Sequence, residues 1–341
     1  MRYTGPMPCL ARRTALGLLA AAPLAPARAD ADLAHEAIDR ARRRAAGFDR
    51  LHALVIAEGG DIRLADAFRG PGIDVPVNVK SVSKTIVATL TGIALDRGVL
   101  DGVDQKVAPL LGELVPAGAD PRVHAITVAH LLTMQAGLER TSGANYGGWV
   151  QSGNWVADQL ARPFVAEPGA RMLYSTGSYH LLAVALARAA GRDLLTLARD
   201  WLGAPLDTAI PPWTRDPQGH FMGGNNMALS PLGLARFAEM WRRRGRVEAA
   251  RVVSEGWVEA AWTPRTRSPW SGDRYGYGWF LTRLAGERAA YARGYGGQMV
   301  YVVPSRALSV VVTSDPTRPA RSHGYVGELH GLVARDLLGG A

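Results

Sequence analysis

The spacing of apolar residues changes period along the chain. Residues 33–47 are rich in charge and predict a polar helix. HALVIAEGGDIRLADAF (52–68) holds two short apolar runs around Gly59-Gly60, which predicts a β-hairpin. In SVSKTIVATLTGIAL (81–95), Ile86, Leu90, Ile93 and Ala94 fall at helical spacing, small residues fill much of the rest, and Lys84 is the sole charge. That pattern predicts a helix packed on several sides, ended by Asp96, Arg97 and Gly98. Helical patterns dominate from 101 to 250 between Pro- and Gly-rich breaks. They include VAHLLTMQ (128–135), SYHLLAVALARAAG (178–191), LLTLARDWLG (194–203) and SPLGLARFAEMWRRR (230–244). After a loop rich in Trp, Pro and Ser (262–275), strand patterns return at YGYGWFLTRL (275–284), GGQMVYVVP (296–304) and ALSVVVTSD (307–315). ELHGLVARDLL (328–338) closes as a helix. Strands at both ends with helices between predict an α+β fold. Its sheet part spans 30–100 and 250–341, a helical insertion spans 101–249, and the site lies in the cleft between them.

The first 29 residues are expected to leave before the protein works. Arg12-Arg13 precede the apolar run TALGLLAAAPLAPA, and Ala27-Arg28-Ala29 forms a small-x-small cleavage site. This is the layout of a secretory signal, of the twin-arginine type. The run is short and holds two prolines, which disfavours a membrane anchor. The lone cysteine, Cys9, would depart with the leader, so a periplasmic or secreted enzyme without disulfides is expected. Losing four leader arginines lowers the formal charge from +9 to +5. The remaining arginines cluster only at 42–44 and 242–246, without interleaved aromatics, so neither nucleic acid nor stable membrane insertion is expected.

Charge chemistry singles out one stretch, Ser81-Val82-Ser83-Lys84. The chain has 36 arginines and only three lysines, Lys80, Lys84 and Lys106. Arginine stays protonated, whereas a desolvated lysine can act as a base. On a helix, residues i and i+3 share a face, so Ser81 Oγ and Lys84 Nζ can meet. In the first turn the serine also has a free N–H and a favourable dipole for negative charge. Two readings stand at this point. Either Lys84 activates Ser81 for nucleophilic attack, or Lys84 pairs with a carboxylate and Ser81 caps the helix.

These residues fall into a wider pattern. The chain resembles the serine β-lactamase and penicillin-binding-protein superfamily over nearly all of its length after the leader. The likeness is strongest to the class C β-lactamase-like branch, near family VIII-type esterases and aminohexanoate-dimer hydrolases. NVKSVSKTIVATLTGIALDRGVL (78–100) resembles the nucleophile helix, and ITVAHLLTMQAGL (126–138) a segment bordering the site. PGARMLYSTGSYHLL (168–182) resembles the second motif, with Tyr174 in the tyrosine position. GGNNMALSPLGLARFAEM (223–240) is similar to the later helix of the insertion, and ARGYGGQMVYVVP (292–304) to the third motif and its strand. The resemblance implies a β-lactamase/DD-peptidase-like fold, with an antiparallel sheet flanked by helices. It implies Ser81 as nucleophile, Lys84 and Tyr174 as its proton-handling partners, and the backbone N–H groups of Ser81 and Tyr295 as oxyanion hole. Gly294, Gly296 and Gly297 would bring the strand close to substrate.

The chain departs from the family pattern twice. Thr176 stands where the second motif has Asn, and Ala292-Arg293-Gly294 stands where the third motif carries Lys-Thr-Gly or His-x-Gly. The cation that would hold a penicillin or peptidoglycan carboxylate is then absent unless Arg293 substitutes for it, and alternation along a strand should turn Arg293 away from the cleft. The expectation is therefore a hydrolase of a small-molecule ester or linear amide. A β-lactamase or DD-peptidase, or a non-catalytic peptide or cell-wall binder, are the alternatives. Thr176, Gly294, Gly296, Tyr146, Trp149 and Asn226 are the candidate substrate-binding residues. Tyr146, Trp149 and Trp155 form either a lid over the acyl group or a surface loop pinned by its aromatics. Asn225 and Asn226 either face the cleft or shape a turn. No Gly-x-Ser-x-Gly elbow, His-Glu-x-x-His or phosphate loop is present. The eight histidines form no ligand pattern, and His130 and His180 sit in helical apolar runs; no metal or cofactor is expected.

Overall fold

The computed structural model describes residues 33–340; the expected leader lies outside them. Among the described residues, eight strands form the main sheet: β1 (Leu51–Glu58), β2 (Asp61–Ala67), β3 (Thr266–Arg267), β4 (Arg274–Tyr275), β5 (Phe280–Leu284), β6 (Glu287–Gly294), β7 (Gln298–Val303) and β8 (Leu308–Ser314). Their spatial order is β2-β1-β8-β7-β6-β5-β4-β3, antiparallel throughout. An N-terminal hairpin thus joins a six-strand meander through β1 and β8, whose register runs from Ala53 opposite Thr313 to Glu58 opposite Leu308. The expected α+β architecture is present.

Helices cover the sheet. The principal ones are α1 (His35–Gly47), α2 (Val82–Asp96), α3 (Thr176–Ala190), α4 (Pro231–Arg242) and α5 (Tyr325–Gly331). Tyr291 on β6 and Tyr301 on β7 point to the α5 side, where His330 meets both rings edge-on. Ala292 and Gly294 alternate to the other side, against the start of α2, and an added Cβ at Gly294 would lie 2.3 Å from the Val79 carbonyl. Every residue of α2 from Val82 to Ala94 is buried. A helix enclosed on all sides needs small residues where neighbours approach, and Gly92 is such a place: a Cβ there would lie 2.3 Å from the Trp257 ring. Gly92→Ala is expected to lower stability by about 1–3 kcal/mol, as overpacking does, read from the midpoint shift in a denaturant titration.

Two parts of the strand pattern differ from expectation. YGYGWFLTRL is not one strand but β4 and β5, divided by a turn that Gly278 enters at φ +77°, and Gly276 N–H bonds back to the Trp279 carbonyl. The strand β6, ERAAYARG, shows no run of β-branched residues, and the apolar pattern alone does not predict it; only its end, 292–294, is expected on a strand, through the resemblance. It forms because β5 and β7 pair with it on both edges.

Candidate active site

The segment before α2 fixes the geometry of the site. Val77 and Asn78 pair with Leu229 and Ala228, and Val79 N–H bonds to the Met227 carbonyl. Asn78 Oδ1 accepts from Lys80 N–H at 2.9 Å, which helps hold Lys80 at φ +51°. That left-handed backbone costs about 1–3 kcal/mol for a non-glycine residue and turns the chain directly into the helix. Ser81 follows at the N-cap position, but its side chain caps nothing. Lys84 Nζ lies 2.9 Å from Ser81 Oγ. Its other acceptors are Thr176 Oγ1 at 3.4 Å and the Gly224 carbonyl. No carboxylate lies among these partners, so the ion-pair reading of Lys84 fails. The lysine is 2% exposed, and burial lowers its pKa from the usual 10.5 to about 7.

Tyr174 and Thr176 come from the start of α3. Ser175 Oγ accepts from the N–H groups of Thr141 and Ser178, and Gly177 N–H donates to Thr141 Oγ1. Gln159 Oε1 ties the same hydroxyls together. Thr176 N–H donates to Ser142 Oγ at 2.9 Å. Tyr174 is thereby held with its ring 4.9 Å from Lys84 Nζ. Burial raises the pKa of its phenol, while the neighbouring Ser81 hydroxyl and the Arg293 charge oppose that rise.

These groups open into a cleft of about 1040 Å³. Ser81, Tyr174, Thr176, Gly294, Tyr295 and Tyr146 all line it. The N–H groups of Ser81 and Tyr295 donate no hydrogen bond among the described residues, as an oxyanion hole requires. Trp270 and Tyr295 are two of the large side chains left exposed, at 45% and 51%, and both lie at this cleft.

Three expected substrate contacts are not at the cleft. Trp149 is fully buried against Trp155 and His180, and its indole N–H donates to the Trp155 carbonyl. The aromatics of this loop are pins, and of the three only Tyr146 reaches the cavity. Asn226 accepts from Asn78 Nδ2 at 3.1 Å, so it supports the turn before Ser81, while its neighbour Asn225 lines the cleft and donates to the Tyr146 hydroxyl. Gly296 packs on the Asp315 carbonyl, 2.4 Å from where a Cβ would stand. Arg293 also departs from expectation. Alternation does place it on the Tyr291 side, where it donates to Ser322 Oγ and the Ala320 carbonyl. It lines the cleft nonetheless, because the cavity runs beyond the strand end along the 316–324 segment.

Ser142, Arg140, Phe280, Arg321 and the Gly224 carbonyl belong to the site without having been predicted. ERTSGANY (139–146) offered hydroxyls and a cation, but nothing in its spacing shows that it crosses the start of α3. The two helical histidines have local partners: His130 completes a capping box with Thr127, and His180 Nε2 lies 3.0 Å from Asp216.

Comparison with known proteins follows the same outline. The family model described as Beta-lactamase matches residues 52–335. A relative named "Probable fimbrial assembly protein FimD, serogroup H1", of Dichelobacter nodosus, is 31% identical over 146 residues. The match covers 40% of this chain and only 36% of that relative's length. A family VIII carboxylesterase superposes with TM-score 0.68 at 17% identity, covering 89% of this chain and 99% of the other. A D-stereospecific amidohydrolase from Streptomyces sp. gives TM-score 0.69 at 18% identity, covering 90% and 100%. At such identities the superpositions show a shared fold.

Proposed function

Since the chain belongs to the Beta-lactamase family, we propose that it is a serine hydrolase cleaving an ester or linear amide through an acyl-enzyme on Ser81. The observation that carries this reading is the buried Lys84 amine, 2.9 Å from Ser81 Oγ and without a carboxylate partner. With its pKa near 7 it is neutral for much of the time at physiological pH. It takes the Ser81 proton as Oγ attacks the substrate carbonyl. The N–H groups of Ser81 and Tyr295 receive the oxyanion. Tyr174, whose pKa is raised by burial, stays a neutral phenol, suited to donating toward the attacking oxygen or the leaving group rather than to acting as base. Water then cleaves the acyl-enzyme with the same groups in reverse.

Ala292, buried against α2, supplies no cation at the first position of the third motif, which favours esters and linear amides over penicillins. Arg293 at the cleft favours the other reading, a β-lactamase or DD-peptidase. Turnover of a chromogenic cephalosporin, a p-nitrophenyl ester and a linear amide dimer separates them. Efficient cephalosporin hydrolysis would overturn the ester and amide reading. Failure of a fluorophosphonate to label Ser81 in folded protein would favour a non-catalytic binder.

Charge narrows the substrate further. Lys80, Arg140, Arg293 and Arg321 line the cleft, and among the described residues no aspartate or glutamate does. An acyl donor carrying a carboxylate is expected to show a KM about tenfold below that of its methyl ester, at roughly 1 kcal/mol or less per exposed pair. The gap should shrink from low salt to 1 M salt. Equal KM values at low salt would remove this preference.

A further inference from the structure

Thr176 and Ser142 form a chain of hydroxyls that starts at Lys84 and ends in the cleft. Thr176 Oγ1 lies 3.4 Å from Lys84 Nζ and 2.9 Å from Ser142 Oγ. Ser142 Oγ already accepts the Thr176 backbone N–H, and it lines the cavity. The donors can therefore run in one direction. An ammonium at Lys84 has three protons and three acceptors in reach: Ser81 Oγ, the Gly224 carbonyl and Thr176 Oγ1. Lys84 donating to Thr176 leaves the threonine proton pointing at Ser142. The Ser142 oxygen has one lone pair left to receive it, and its own proton then faces the cavity. The carbonyl of Gly224 only accepts, so it cannot pass a proton on.

Resting on the acyl-transfer reading above, we propose that Thr176 and Ser142 are a proton exit from Lys84 to the leaving group. After Lys84 has taken the Ser81 proton, one Nζ–H bond breaks as a proton moves to Thr176 Oγ1. The Thr176 proton moves to Ser142 Oγ, and the Ser142 proton bonds to the departing oxygen or nitrogen. Each hydroxyl ends with one proton, as it began, and the net change is one proton from the ammonium to the leaving group. Lys84 is then neutral again for the attack of water. An amide at 176 would hold Lys84 in place but would not exchange protons in this way. The threonine that departs from the family pattern thus gains a role.

Leaving-group basicity tests the route. A nitrophenolate departs without a proton, whereas an alkoxide needs one. Ser142→Ala and Thr176→Val should each lower kcat for an ethyl ester by about 10²-fold, within the range of general acid catalysis. The p-nitrophenyl ester of the same acid should lose at least about tenfold less in kcat. Thr176→Ser should restore most of the loss, and Thr176→Asn should not. Equal losses on the two esters, or none, would overturn the exit. So would a selective loss in Tyr174→Phe with Ser142→Ala unaffected, because the proton would then leave by the phenol. Fluorophosphonate labelling of Ser81 separates the layers: labelled Ser81 with equal losses removes the exit alone, and an unlabelled, inactive wild type removes the acyl-transfer reading with it.

Discussion

Replacing Ser81 by alanine is expected to cut ester turnover by about 10⁴-fold or more while leaving the fold intact, because the proposed acyl-enzyme loses its nucleophile. The oxygen is removed from a half-buried N-cap position where it caps no backbone group. Lys84 keeps Thr176 and the Gly224 carbonyl as partners. Stability should therefore move little, by about 1 kcal/mol at most for one hydrogen bond. Measurement needs kcat/KM together with a thermal melt of the same sample. Intact protein mass after rapid quenching should show an acyl adduct in the parent and none in Ser81→Ala. Retention of most activity by a well-folded Ser81→Ala protein would sink the nucleophile assignment and the mechanism built on it.

Lys84→Met should give the opposite pairing, an inactive protein that is harder to unfold. The folded pKa lies near 7, against 10.5 for a free lysine. Between those values the unfolded chain binds more protons than the folded one, so stability of the parent rises with pH across that window. Below pH 7 the folded protein carries a buried ammonium at full cost, about 5 kcal/mol for the 3.5-unit displacement. Methionine of similar length removes that cost, although the Gly224 carbonyl loses a donor. The variant is expected to be about 2 kcal/mol more stable at pH 6, with activity down by about 10³-fold. Its advantage should fall by about 2.5 kcal/mol between pH 7 and pH 9 as the parent lysine deprotonates. Paired urea titrations at pH 6, 7 and 9 read this directly. In the parent, kcat/KM should climb through pH 7 as the amine becomes neutral. A flat profile, or an advantage independent of pH, would mean that Lys84 does not titrate in this range.

Much of this site is written locally. The i, i+3 spacing of Ser81 and Lys84 and the apolar surroundings of α2 are facts of sequence, and together they allow a buried amine beside a hydroxyl. The hairpin around Gly59-Gly60 is equally local, since two apolar runs and a glycine pair suffice to specify it. Other features depend on distant segments. Nothing in ERAAYARG favours a strand; pairing with β5 and β7 makes it one. Trp149 and Tyr146 sit three residues apart in one aromatic run. The core claimed Trp149 and the cleft kept Tyr146, because Met222 and His180 happen to wall in the former. Asn225 and Asn226 divide in the same way between cleft and scaffold.

The sequence by itself determined most of the order of elements, the placing of Ser81 and Lys84 three positions apart in an apolar segment, and the two departures from the motif pattern. It could do so because each depends on residues a few positions apart. Tertiary structure alone decided what those departures mean. Arg293 obeys strand alternation yet lines the cleft, since the 316–324 segment extends the cavity to its side. Thr176 acquires Ser142 as a partner because a buried network of Thr141, Gln159 and Ser175 presses a loop 34 residues away onto the start of α3. Hydroxyls that meet across such a gap leave no trace in spacing, because the contact is set by packing and not by the local backbone.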